Sequence, residues 1–205
     1  MRIDHVLIGA RDLPAAADRL RDEHGLASVD GGVHPEWGTG NRIFPLGDDY
    51  VELIGIVDEE TAARSLLGSW LREQLADGDR PFAWCLVVDD LDATAARLGI
   101  EPVAGGRTKP DGTRLSWRLL GLAEAIAEPP LPFFIEWGDA VAHPGAEATD
   151  HASAATGIAW VEIGGDEARL AEWLGGAQLP VRVAAGEPGL RALALAAPGG
   201  EIVLR

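Results

Sequence analysis

The sequence predicts an α+β fold built from repeated βαβββ modules, and three observations carry that prediction. First, "HVLIGARDLPAAADRL" (5–20) is echoed by "AWCLVVDDLDATAARL" (83–98) and, more weakly, by "IAWVEIGGDEARLAEWL" (158–174). Each copy is an apolar strand, a short acidic turn and an amphipathic helix. Second, each copy runs through a Gly/Pro-punctuated stretch and closes on another strand, "YVELIGI", "PFFIEWG" or "EIVLR". Third, 205 residues with 47% apolar composition are enough for a packed core.

The elements follow in order. In the first copy, Leu13, Ala16, Ala17 and Leu20 fall on one face of a helix from Leu13 to about Glu23, with Pro14 in its first turn and Gly25 as its stop. "NRIFPLGDDYVELI" reads as two antiparallel strands joined at Gly47-Asp48-Asp49. A connecting helix is expected over about 58–78, capped by Asp58, ended by Gly78, with Leu66, Leu67, Trp70, Leu71 and Leu75 as its apolar stripe. In the second copy Pro110-Asp111-Gly112 marks a turn between strands. "AHPGAEATDHASAAT" (142–156) is small and polar and reads as a linker. The expected organisation is one domain over 1–141 (modules 1–57 and 80–141), the linker at 142–156, and a third, degenerate module over 157–205.

Composition excludes several classes of function. A formal charge of -16 repels nucleic-acid backbones and anionic lipids. Cys85 is the only cysteine, which rules out an internal disulfide and an all-cysteine metal site. "MRIDHVLIGARD" leaves no room for a signal-peptide core, and no stretch approaches the ~18 apolar residues of a membrane span. A cytoplasmic protein that binds a small molecule is expected.

Two carboxylates interrupt the most apolar strands: Glu52 between Val51 and Leu53, and Glu136 between Ile135 and Trp137. Strand alternation puts Glu52 with Tyr50 and Ile54, Glu136 with Phe134, and His5 with Ile3 and Leu7. With helices on one side of the sheet, Glu52 points to the concave side, where a carboxylate needs a cation, a hydrogen-bond partner or a proton.

A chain organised this way resembles the vicinal oxygen chelate superfamily, the glyoxalase/bleomycin-resistance fold. It is similar to a bacterial glyoxalase-like domain group in "HPEWGTGN" (34–41), "PLGDDYVELI", Arg107, "PDG" (110–112), Trp117 and "LPFFIEW" (131–137), over about residues 3–140. The resemblance implies a cleft around a divalent metal, with ligands from the first and last strands of each module: His5, Glu52, Ala83 and Glu136 here. Ala83 cannot bind a metal. His5, Glu52 and Glu136 form a mixed nitrogen–oxygen set suited to Zn, Mn, Fe or Ni, with positions left open for substrate. The alternative is a metal-free cleft in which both acids are hydrogen-bonded and His5 is an ordinary strand histidine.

The implied activity is that of a metal-dependent lyase or isomerase acting on a small oxygenated molecule, with Glu52 or Glu136 moving a proton. The rivals are a metal-free sequestering protein of the bleomycin-resistance type and a purely structural or partner-binding paralogue. His34, Trp37, Thr39 and Asn41 are expected to line the cleft. Arg107 and Arg114, with Arg42, are candidates for gripping a substrate carboxylate, and Trp117 is either core or platform. The third copy has no ligand positions and is expected to extend the sheet or to pair across a homodimer.

Overall fold

The computed structural model describes residues 1–109, 111–138 and 142–205. Pro110 of the expected turn and the module boundary at 141 lie outside them. The first module comprises β1 (Arg2–Gly9), α1 (Leu13–His24), β2 (Val29–His34), β3 (Thr39–Pro45) and β4 (Tyr50–Ile56). The connection holds α2 (Glu59–Ala62) and α3 (Leu66–Gln74). The second module is β5 (Arg80–Val87), α4 (Leu91–Leu98), β6 (Val103–Thr108), β7 (Arg114–Leu120), α5 (Leu122–Ala127) and β8 (Phe133–Trp137). The two sheets do not stay open as a cleft. They form a closed barrel in the order β1-β4-β3-β2-β6-β7-β8-β5, sealed by β1 against β5 and by the pairing of Val33 with Thr108.

Local chemistry sets the repeat. Asp12 and Asp90 cap α1 and α4 by accepting from the amides of Ala15 and Ala93, and Gly25 and Gly99 end both helices in the left-handed conformation. Strand alternation then divides the apolar residues. Val6, Ile8, Val51, Leu53, Trp84 and Leu86 face out into a core shared with α1. Leu7, Ile54, Cys85, Leu115, Phe133 and Ile135 face into the barrel.

The connecting segment positions the site by closing one end of the barrel. It is not one helix: Ser65 breaks it, accepting from the Gly68 amide to cap α3, and a 3-10 turn over Leu75–Asp77 follows. Leu67, Trp70, Leu71 and Leu75 join the interior cluster, each such burial contributing about 1.5–3 kcal/mol. Leu66, expected in that stripe, is 52% exposed because it sits at the capped start of α3.

The third copy comprises β9 (Gly157–Gly164), α6 (Glu167–Trp173), β10 (Val181–Ala184), β11 (Gly189–Ala196) and β12 (Ile202–Leu204). It does not extend the barrel sheet. It makes its own sheet, ordered β10-β9-β11-β12, with β9 parallel to β10 and antiparallel to β11. Its face bearing Val161, Ile163, Leu193 and Leu195 packs into the core outside the barrel wall, with β11 against β5. The stretch expected as a linker is a packed strap. His151 accepts from the Ala27 amide (3.0 Å) and donates to the Pro45 carbonyl (2.6 Å), while Asp49 accepts from the Ile158 amide (3.1 Å).

Candidate functional site

The site lies in the barrel lumen and begins with a β-bulge. Ile3 pairs with Leu86 and His5 with Cys85, so Asp4 is an extra residue on β1. The bulge turns both Asp4 and His5 inward. Ile3 goes to the outer core, not to the face of His5 and Leu7 where simple alternation put it.

Asp4 is fully buried and accepts from three donors: His5 Nδ1 at 2.6 Å, Trp137 Nε1 at 3.0 Å and His143 Nε2 at 3.0 Å. Burial alone would push its carboxyl up, but the hydrogen bonds from His143 and His5 outweigh that and hold it well below the usual range. With Nδ1 donating to Asp4, the other ring nitrogen of His5 is presented to the lumen. The His5 ring stacks on Tyr50 with centroids 4.6 Å apart. Burial keeps the Tyr50 phenol protonated, well above its usual pKa.

Glu52 completes the chain. His5 Nε2 lies 3.6 Å from Glu52 Oε2, and Asn41 Nδ2 donates to Glu52 Oε1 at 2.6 Å. Asp4, His5, Glu52 and Asn41 thus run in one line across the interior. Asn41 depends on glycine: a Cβ on Gly31 would stand 2.0 Å from Asn41 Oδ1. Gly32, at φ +138, lets the backbone pass close to Thr108 and the Arg107 guanidinium.

Glu136 does not join them. The lumen-facing residues of β8 are Phe133, Ile135 and Trp137, so Glu136 points out through the opposite face. There it pairs with its cross-strand partner Arg118 at 2.7 Å, and Arg118 also holds Asp92 of α4. Alternation along the strand holds; the inward face is the other one. The expected ligand trio and the expected catalytic role of Glu136 fall on that geometry.

Most of the other candidate residues lie around the lumen. His34, Trp37, Asn41, Arg107 and Trp117 all line the lumen, around a cavity of about 40 Å³. Thr39 is buried behind them, its hydroxyl 3.0 Å from His34 Nδ1. Burial pulls the His34 pKa down to about 4, so its imidazole is neutral at neutral pH. Arg107 is 5% exposed, and its Nη1, like Asn41 Oδ1, has no hydrogen-bond partner among the described residues. Arg114 is exposed and lines an outer cleft. Arg42 is bonded to Ser28 and Asp30, away from the lumen.

Residues 3–178 match a family described as a glyoxalase-like domain. The chain belongs to that family. This glyoxalase-like protein is similar in structure to a hypothetical protein from Staphylococcus aureus, with a TM-score of 0.71 at 14% identity, over 100% of this chain and 98% of that one. The methylmalonyl-CoA epimerase of Mycobacterium tuberculosis aligns at 18% identity and a TM-score of 0.47, over 66% of this chain and 86% of that one. That of Streptomyces coelicolor, a variant form in complex with 2-nitronate-propionyl-CoA, aligns at 21% and 0.48, over 69% and 99%. No curated protein matches the sequence. The fold is that of the vicinal oxygen chelate superfamily, and the family match runs past the first two modules into the third.

Among the described residues of this glyoxalase-like domain, one group could hold a metal. Potential ligand atoms of Asp4, His5 and Cys85 lie within 4.8 Å of one another. Asp4 already accepts three hydrogen bonds, and burial holds the Cys85 thiol well above its usual pKa. The group would fit a divalent ion only by giving up those bonds and that proton.

Sequence alone does not single out four residues of the site. Asp4 is hidden by the bulge, which no period-two pattern reveals. Tyr50 and Trp137 read as ordinary strand aromatics, and His143 as a solvated histidine in a linker. The adjacent Asp4-His5 pair is the one available signal.

Proposed function

We propose that this glyoxalase-like protein is an enzyme that moves a proton next to the carbonyl of a small oxygenated molecule, an isomerase or lyase, inside the barrel. The observation that carries this reading is the buried line Asp4–His5–Glu52–Asn41, with His5 Nε2 and Glu52 Oε2 3.6 Å apart. Glu52 is the general base, aimed by Asn41 and lining the cavity. His5 accepts or returns the proton at Nε2, and Asp4 behind it fixes the tautomer and stabilises the imidazolium. Arg107 supplies a positive charge, uncommitted at Nη1, toward the oxygen on which negative charge develops.

A divalent metal is a second reading, supported by the clustered ligand atoms of Asp4, His5 and Cys85. Such an ion would act as a Lewis acid. Metal content of protein purified without chelators, compared with His5→Ala, tests it. The proton-transfer reading is tested in D2O with a panel of 2-oxo and 2-hydroxy acids. Proton NMR should show protein-dependent loss of an α-proton signal that Glu52→Gln abolishes. A panel left wholly undeuterated would overturn it.

A further inference from the structure

We propose that the ligand is a monoanionic carboxylic acid with an uncharged, apolar tail, its carboxylate on Arg107 in the lumen and its tail in an outer cleft between β6 and α5. This rests on the lumen being the site and adds the class of molecule that enters it.

The head is defined by Arg107. Its guanidinium is 5% exposed, on an inward-facing stretch of β6, and Nη1 has no acceptor among the described residues. A buried cation with an idle donor is unfavourable until an anion meets it. Asp4 is engaged by three donors, and Glu52, whose charge reaches Arg107, makes no hydrogen bond to it among the described residues. An acceptor for Nη1 is left for the ligand to supply. Its size is limited as well. About 40 Å³, against the ~10–15 Å³ that one water needs on the same measure, leaves room for a carboxylate and a few neighbouring atoms.

The rest of the molecule has somewhere to go. An outer cleft of about 510 Å³ meets the lumen at Trp37, Leu119 and Leu122, which line both. Leu66 and Val103, 52% and 67% exposed, form its apolar walls. Gly105 and Gly106 leave bare backbone between them. An added Cβ on Gly105 would stand 2.3 Å from the Trp117 indole nitrogen. Charge at the rim is one-sided: Glu36, Glu101 and Glu124 against Arg114 alone. Apolar walls favour an aliphatic or aromatic tail, and an acidic rim repels phosphate. Nucleotides, phosphorylated acids and other polyanions are excluded by the same charges.

The test uses the full chain and four probes in titration calorimetry: butyrate, 4-phenylbutyrate, 4-phenylbutanol and 4-phenylbutyl phosphate. The expected order is 4-phenylbutyrate about tenfold or more tighter than butyrate, with no binding of the alcohol or the phosphate ester. Arg107→Gln should abolish binding of both acids. The surface change Val103→Asp should weaken 4-phenylbutyrate and leave butyrate unchanged. Equal affinity of the two acids, binding of the phosphate ester as tightly as the acid, undiminished binding in Arg107→Gln, or silence from all four overturns the proposal. Its failure is separable from that of the proton-transfer reading: α-proton exchange by an acid without an apolar tail would leave the chemistry standing while the tail assignment falls.

Discussion

His5 Nε2 faces Glu52 Oε2 across 3.6 Å inside the barrel, while Glu136, the acid that the repeat pairs with Glu52, sits outside the wall on Arg118. Two glutamates with the same apolar flanks thus have opposite fates. The difference is register: β4 turns Tyr50, Glu52 and Ile54 inward, and β8 turns Phe133, Ile135 and Trp137 inward.

Removing Asp4 should be felt as lost stability. Asp4→Ala leaves His5 Nδ1, Trp137 Nε1 and His143 Nε2 without their shared acceptor. Urea unfolding should show a loss of about 3 kcal/mol. Asp4→Asn, which keeps one acceptor oxygen, should lose less.

Gly31→Ala should damage the site from a distance. The new methyl needs the space that Asn41 Oδ1 holds, so the carboxamide must swing away from Glu52. The expected outcome is α-proton exchange reduced by about tenfold or more with near-native circular dichroism. Unchanged exchange would mean that Asn41 does not aim Glu52.

Asp49 should make stability depend on pH near its own titration. Burial raises its carboxyl to about 6 where it receives the Ile158 amide. The native state therefore binds a proton more tightly than the unfolded chain, whose aspartate titrates near ~3.9. This group's contribution is fully present below the unfolded value and is lost as pH rises through the folded one. Urea unfolding from about pH 4 to about pH 7 should show the wild type losing stability relative to Asp49→Asn as pH rises. The opposite slope would contradict the assignment.

The repeat, the start of α1 at Leu13 and its stop at Gly25, and the place of His34, Trp37 and Asn41 around the lumen are legible in the sequence. These follow from caps, alternation and family motifs, all of them local. What escapes is non-local. The bulge that turns Asp4 inward depends on pairing with β5, and the placement of Glu136 depends on which wall β8 joins. His143 is unreadable because its value lies in reaching a carboxylate 139 positions away in sequence. The break at Ser65 is written as an N-cap but hidden inside a longer helical pattern.

The central claim is that chemistry belongs to the inward glutamate and not to the outward one. It is met most directly by following α-proton exchange in D2O for the wild type, Glu52→Gln and Glu136→Gln with one responsive acid. Exchange should fall by about 10²–10⁴-fold in Glu52→Gln and stay at the wild-type rate in Glu136→Gln. Loss in Glu136→Gln with retention in Glu52→Gln would contradict the account.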